Sequence, residues 1–153
     1  MWKILSLMLI LPAVLQAQDR SADDFMIASR QIAPAALTDY PLVRCAALYR
    51  SIHVFAGREV MGDGPYETAV RFEKEFGISA AFIRAQENEL ETDAAVDAVM
   101  QDIDGIAGLY GLRYQLNAES TGHAFANDQM WQDDRAYCAN LFTMMTDASE
   151  GSE

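Results

Sequence analysis

The feature that most constrains this fold is the spacing of its apolar residues, which recur every three to four positions along most of the chain. That period belongs to an α-helix with one buried face, whereas a half-buried strand alternates every second residue. No segment alternates for long enough to suggest a sheet. The prolines after residue 17, Pro34, Pro41 and Pro65, all precede residue 66, so the sequence predicts long, uninterrupted helices in the second half of the chain.

Five helices are predicted from this periodicity and from end signals. Gly57 is expected to end the second helix in a left-handed conformation, and Thr92 is expected to cap the start of the fourth. Long helices with short connections predict an all-α, up-down-up-down four-helix bundle with a short extra helix at its N-terminal end. The predicted spans are about 21–33, 40–56, 64–89, from 92 through at least 114, and 121–147.

Residues 1–17 have the pattern of a secretory signal peptide, with Lys3 followed by an apolar run from Ile4 to Leu15. The run is shorter than the roughly 20 residues that a membrane-spanning helix needs, although an uncleaved membrane anchor is the alternative interpretation. We therefore expect a signal peptide over 1–17 and a single helical domain over 18–153, without a stable membrane anchor. The protein is expected to be exported, into the periplasm of a Gram-negative bacterium or otherwise outside the cell.

Two cysteines, Cys45 and Cys138, remain after cleavage, and an oxidising compartment favours a disulfide between them. In an antiparallel pair formed by the second and fifth helices, they would lie at nearly the same level. The predicted interhelical disulfide would add about 4 to 5 kcal/mol to stability by the chain-entropy model. Two buried free thiols are the alternative.

The two histidines are the first candidates for acid-base chemistry or metal binding. If the disulfide sets the register, His53 lies opposite Met130, and His123 lies seven residues away, or roughly 10 Å. A shared metal or haem site is therefore not predicted. The sequence also lacks the C-x-x-C-H, H-E-x-x-H and Glu-x-x-His patterns of haem, zinc and di-iron proteins. We predict no catalytic residue, no metal ligand and no cofactor.

Charge excludes one class of partner. The chain carries 11 Lys and Arg against 23 Asp and Glu, and removal of Lys3 with the leader changes the net charge from −12 to −13. Such a chain lacks the basic field that nucleic-acid binding requires. An acidic run without any base lies between Arg84 and Arg113. It is either a solvated corner where acids favour a helix start, or a surface for a cationic protein or divalent cations.

Three glycines at intervals of three interrupt the fourth helix, and each costs about 1 kcal/mol relative to alanine. Either the helix bends or breaks there, or that flank accepts a close partner, such as another subunit. The sequence thus predicts a small exported acidic bundle that acts by binding, with a metal- or haem-associated periplasmic redox or stress protein as the alternative. The candidate interaction surface consists of Asp93, Asp97, Asp104, Gly105, Gly108 and Gly111.

Overall fold

The computed structural model describes residues 11–34 and 37–150, and this part of the chain contains α-helices and no strand. The all-α prediction is confirmed. The helices are α1 (Leu11–Ile32), α2 (Tyr40–Met61), α3 (Asp63–Glu87), α4 (Thr92–Thr121) and α5 (Gln129–Glu150).

Successive helices of the bundle run in opposite directions. Asp39, at the start of α2, contacts Arg84, near the end of α3. On another side of the bundle, Arg113, late in α4, contacts Asp128, just before α5. Helices α2, α3 and α4 pack most extensively against one another, and α5 lies along a shorter stretch of α2. The predicted up-down-up-down bundle is therefore confirmed, with α5 as its least enclosed helix.

A disulfide between Cys45 and Cys138 joins α2 to α5, and the two Cα atoms lie 5.5 Å apart. Both cysteines are buried. One turn before Cys138 along α5, Asp134 forms an ion pair with Arg44 of α2. The predicted interhelical disulfide is confirmed. The two helices are antiparallel, as predicted, because Ile52, which follows Cys45, and Trp131, which precedes Cys138, line the same groove.

The core is built from the apolar stripe of α4 and the facing residues of α2 and α3. The periodicity of the sequence predicts that α4 buries a stripe of Val96, Val99, Ile103, Ala107, Tyr110 and Tyr114. Val96 is nevertheless 40 % exposed, because the buried face passes through Ala95 instead. Ala107, also predicted, is half-buried. The fully buried members of the predicted stripe are Val99, Ile103, Tyr110 and Tyr114.

Gly57 interrupts α2 without ending it. Its φ of 72° is open to glycine and strained for residues with a Cβ, as the sequence predicted, but its ψ of 165° is extended. The helical segment that starts at Tyr40 therefore breaks where the sequence predicted its end, near residue 56, and a short second helical segment continues beyond the kink to Met61. Gly62, with φ 77°, then turns the chain into α3.

The fifth helix begins at Gln129, later than the predicted start near Thr121. Helix α4 takes up the intervening segment as far as Thr121, where Gly122 in the left-handed conformation (φ 78°) ends it. Asp128 then caps α5 by accepting a hydrogen bond from the backbone N–H of Trp131.

Helix α1 begins at Leu11, ten residues before the predicted start, and crosses the predicted cleavage point after Ala17. Its sequence there is rich in helix formers, and Pro12 falls in the first turn, where proline is tolerated. Residues 1–10 of the predicted signal peptide lie outside the described residues. Within the described part, no helix has the length and apolar character needed to cross a membrane.

Candidate functional site

A groove of about 580 Å³ lies between α5 and the hairpin formed by α2 and α3. We call it the α5 groove. Its lining is mostly apolar and includes three aromatic rings, which is the usual character of a small-molecule site. The lining residues are Tyr49, Ile52, Met61, Pro65, Thr68, Ala69, Phe72, Trp131, Gln132, Arg135, Ala136 and Ala139.

Small side chains on α5 leave this space open. Ala136 and Ala139 line the groove on the α5 side, and Ala69 lines it from α3. Between them, Tyr49 and Phe72 pack edge to face with ring centroids 4.8 Å apart. Large side chains at the alanine positions would fill the groove, so its existence depends on them.

Arg135 brings a positive charge to the α5 groove. Its guanidinium carbon lies 5.0 Å from the centroid of the Trp131 ring, within cation–π range. Among the described residues, no carboxylate lies within ion-pair distance of Arg135. Tyr49 and Arg135 both line the groove, where burial raises the pKa of Tyr49 and the charge of Arg135 acts in the opposite direction. The side chain of Arg135 is also exposed to solvent.

Helix α5 is held against the bundle by a partly buried charge cluster. Arg44 donates two hydrogen bonds to Asp134, at 2.6 and 2.7 Å, and Tyr110 donates a third at 2.6 Å. Burial raises the pKa of Tyr110 well above its ordinary value of 10.0, and the Asp134 carboxylate adds to the shift. The phenol therefore stays protonated and serves as a donor. This cluster ties α5 to both α2 and α4.

A second cluster fixes the start of α5. Asp128 is 3 % exposed and accepts hydrogen bonds from Arg113 at 2.6 and 2.7 Å and from Asn117 at 2.8 Å. Burial alone would raise the pKa of Asp128. The hydrogen bonds from Arg113 and from the Trp131 backbone outweigh burial and lower that pKa from its ordinary value of 3.8.

The three glycines of the candidate interaction surface have different surroundings in the structure. Helix α4 runs through all three glycines as one helix, so it does not break there. A Cβ on Gly105 would lie 2.9 Å from Cγ2 of Ile32, which shows that α1 is the close partner at this position. A Cβ on Gly108 or Gly111 would meet no atom within 4 Å. Gly105 therefore lies in an internal helix contact, and the other two remain uncovered.

The predicted acids lie on the outward side of α4. Asp93 and Asp97 are exposed. Asp104 is paired with Arg50 of α2 at 2.5 Å, although its side chain is still 66 % exposed. At about 100° per residue, Asp97 and Asp104 fall on the same side of α4 as Gly108 and Gly111. We call these four residues the α4 outer strip; Gly105 points to a different flank.

The histidines contact different elements. His53 pairs with Glu73 of α3, and its ring lies 5.5 Å from that of Tyr66. Glu73 is shared with Arg50, whose Nε lies 3.1 Å away. His123 is exposed in the connection after α4. In residues 11–34 and 37–150, no group of three His, Cys, Asp or Glu side chains is arranged to hold a metal ion.

A second groove, of about 500 Å³, lies between α1 and α4. Its apolar lining comes from Phe25, Leu109, Leu112 and Leu116. Its one basic residue, Arg113, is already bonded to Asp128, so the charges of this groove do not indicate a particular ligand.

Comparisons with protein-family models, with curated proteins and with solved structures each gave no match. The chemistry of the chain's own grooves and charges therefore carries the functional argument.

Sequence reasoning missed the α5 groove. A signal was present, because Trp131 and Arg135 are spaced by four residues and Ala136 and Ala139 follow on the same helix. An aromatic–cation pair beside two small residues on a helix that faces two others indicates an unfilled, charged crevice.

Proposed function

We propose that this chain is an exported binding protein that holds a small, largely apolar molecule in the α5 groove. The groove itself carries the proposal. Its volume of about 580 Å³ lies within the range of about 300 to 1,000 Å³ typical of small-molecule sites, and most of its lining is apolar.

The contacts that fix α5 to the bundle indicate that the α5 groove is formed before a ligand binds. The helix is tied down at Asp128, at Asp134 and at Cys138, so the groove does not have to be assembled when a ligand arrives. A preorganised site loses less conformational entropy on binding than a flexible one. The signal-peptide pattern and the disulfide support an exported location.

Trp131 offers a direct test. Because Trp2 lies in the predicted leader, Trp131 is the only tryptophan in residues 18–153, and it lines the groove. Titration of the 18–153 protein with a neutral apolar dye, Nile red, should give a saturable change in Trp131 emission.

Two matched variants locate the site. Ala139→Phe places a ring in the groove and should weaken dye binding about tenfold, which corresponds to about 1.4 kcal/mol. Ala94→Phe makes the same change at an exposed position of α4 and should leave binding unchanged. Equal dye affinity in both variants and the parent protein would show that the groove is not the site.

The α4 outer strip supports a second candidate function, which is contact with a cationic protein or another subunit. Gly108 and Gly111 leave room for close approach, and Asp97 and Asp104 supply negative charge. Crosslinking of the mature protein in its native compartment should yield an adduct at α4, and Asp97→Lys together with Gly108→Leu should abolish it.

The competing redox class has its own test. Elemental analysis and a visible absorption spectrum of protein purified from its native compartment should show neither a stoichiometric metal nor a Soret band. Either finding would replace the apolar-ligand proposal with a metal- or haem-based function.

A further inference from the structure

We infer that the ligand is an anionic amphiphile, with its apolar body in the α5 groove and its anionic group paired with Arg135. This inference rests on the proposed function and specifies the ligand class for the same groove.

The distribution of charge around the α5 groove favours an anionic ligand. The chain has twice as many acids as bases, yet the lining of the α5 groove includes no Asp or Glu. Five other described arginines pair with carboxylates; for example, Arg44 pairs with Asp134, and Arg84 pairs with Asp39. Arg135 has no such partner among the described residues. A groove with one cation and no carboxylate in its lining favours an anionic ligand.

The neighbouring polar groups support the same ligand class. Gln132 lines the groove with Arg135, and its side-chain amide has N–H donors for an anionic oxygen, whereas the Thr68 hydroxyl already donates to the Gly64 carbonyl at 2.9 Å. An arginine guanidinium matches a carboxylate or phosphate geometrically through two parallel N–H groups. The remaining lining is apolar or aromatic, which suits a hydrocarbon body. A cationic amphiphile would meet repulsion from Arg135 and no compensating charge.

Arg135 could have a purely structural role, which is stacking on Trp131. A second stacked arginine outside the groove distinguishes that role from ligand binding. Arg71 is such an arginine. Its guanidinium carbon lies 5.4 Å from the Phe72 ring centroid and 5.6 Å from that of Phe142. It too lacks a carboxylate partner among the described residues, but it does not line the α5 groove. If stacking alone explained these arginines, the two would be equivalent in every binding assay.

The experiment compares three probes that share one hydrocarbon chain: dodecanoate, dodecanol and dodecyltrimethylammonium. The two ionic probes are titrated below their micelle-forming concentrations, and dodecanol below its solubility limit, into the 18–153 protein at pH 8, with Trp131 emission as the readout. Dodecanoate should bind about tenfold or more tightly than dodecanol, and the cation should bind most weakly. The preference should shrink as salt is added, because Arg135 is exposed to solvent.

Arg135→Gln should reduce dodecanoate affinity to the level of dodecanol, and Arg71→Gln should leave the preference intact. Arg135→Glu should reverse the order and favour the cation, a gain that misfolding cannot produce. Equal affinity for dodecanoate and dodecanol in the parent protein, or equal losses in the Arg135 and Arg71 variants, would overturn the anionic assignment and leave the groove as a neutral apolar site. Failure of all three probes and of the neutral dye to bind would overturn the proposed function itself.

Discussion

Individual arginines decide much of how this acidic chain is held together. Arg44, Arg84 and Arg113 each reach a largely buried aspartate on another element at 2.6 Å. Such pairs gain little net energy because both charges lose hydration, but removal of one partner leaves the other with fewer partners in a low-dielectric site. These pairs therefore specify which helices neighbour one another, and their loss is costly.

The first prediction concerns Asp128. Its pKa in the folded protein lies below the ordinary value of 3.8, so folding favours the carboxylate. Its contribution to stability is complete above about pH 4 and is lost as pH falls through the folded-state pKa. Melting temperatures measured between pH 7 and pH 2 should decline in that acid range.

Asp128→Asn should remove this contribution at every pH. We expect a loss of about 3 kcal/mol at pH 7, and a flatter acid limb in the plot of melting temperature against pH. Asp133→Asn, at an exposed position on α5, is the control and should match the parent protein. A variant with parental acid dependence would show that other carboxylates control the acid transition.

At the scale of helices, periodicity predicted the five elements. It did not predict what each glycine of α4 contacts. A helical glycine either relieves crowding by a neighbour or serves no packing purpose, and the sequence looks the same in both cases. Gly105 is crowded by Ile32, whereas Gly108 is open. Tertiary packing decides which flank of α4 is covered by α1. The helical pattern of the sequence therefore did not distinguish Gly105 from Gly108.

The second prediction contrasts these two positions. Gly108→Ala should stabilise the protein by about 1 kcal/mol, because alanine favours helix and the added Cβ meets nothing. Gly105→Leu should destabilise it, because the larger side chain must displace α1. Chemical denaturation of both variants measures the difference, and equal effects would mean that α1 does not pack on α4 at this point.

Helix α5 was predicted with the correct partner and the wrong start. Helical periodicity is present both before and after the segment that connects α4 to α5. Only the left-handed Gly122 and the cap at Asp128 show where one helix ends and the next begins. Capping depends on backbone conformation, which periodicity does not report. Of its described side chains, Cys138 alone is fully buried, so α5 depends on a few strong attachments.

The third prediction follows from those attachments. Native-state hydrogen exchange should show α5 amides exchanging faster than those in the middle of α2, α3 and α4. In the double variant Cys45→Ala/Cys138→Ala, protection of α5 should fall further, while the three-helix core keeps its protection. Loss of protection throughout the chain would instead show that all the helices open as one unit.

At the scale of the whole molecule, long helices with short connections predicted the bundle, and the two cysteines predicted which levels of α2 and α5 face each other. The α5 groove was beyond reach from sequence alone. It depends on Ala69, Ala136 and Ala139 lining one space from two helices, and on Arg135 having no carboxylate within ion-pair distance among the described residues. Those are relationships between different helices, and single-helix patterns do not contain them.

The fourth prediction concerns the disulfide. It links residues 93 positions apart, and its removal should cost about 4 to 5 kcal/mol by the chain-entropy model. A reductant should lower the melting temperature of the 18–153 protein by roughly 15 °C. The Cys45→Ala/Cys138→Ala variant is the control and should melt at one temperature with and without reductant. An unchanged melt in reductant would mean that the bridge contributes nothing to stability.

The place of the disulfide has a thermodynamic consequence for the proposed binding. Helix α5 forms one side of the groove, and Cys138 attaches that helix to α2, so occupancy of the groove and closure of the bridge are linked equilibria. A ligand that needs α5 in position must protect the bridge from reduction to the same degree that the bridge favours the ligand. A reduced precursor would accordingly take up ligand poorly, and uptake would begin in the compartment that oxidises its thiols.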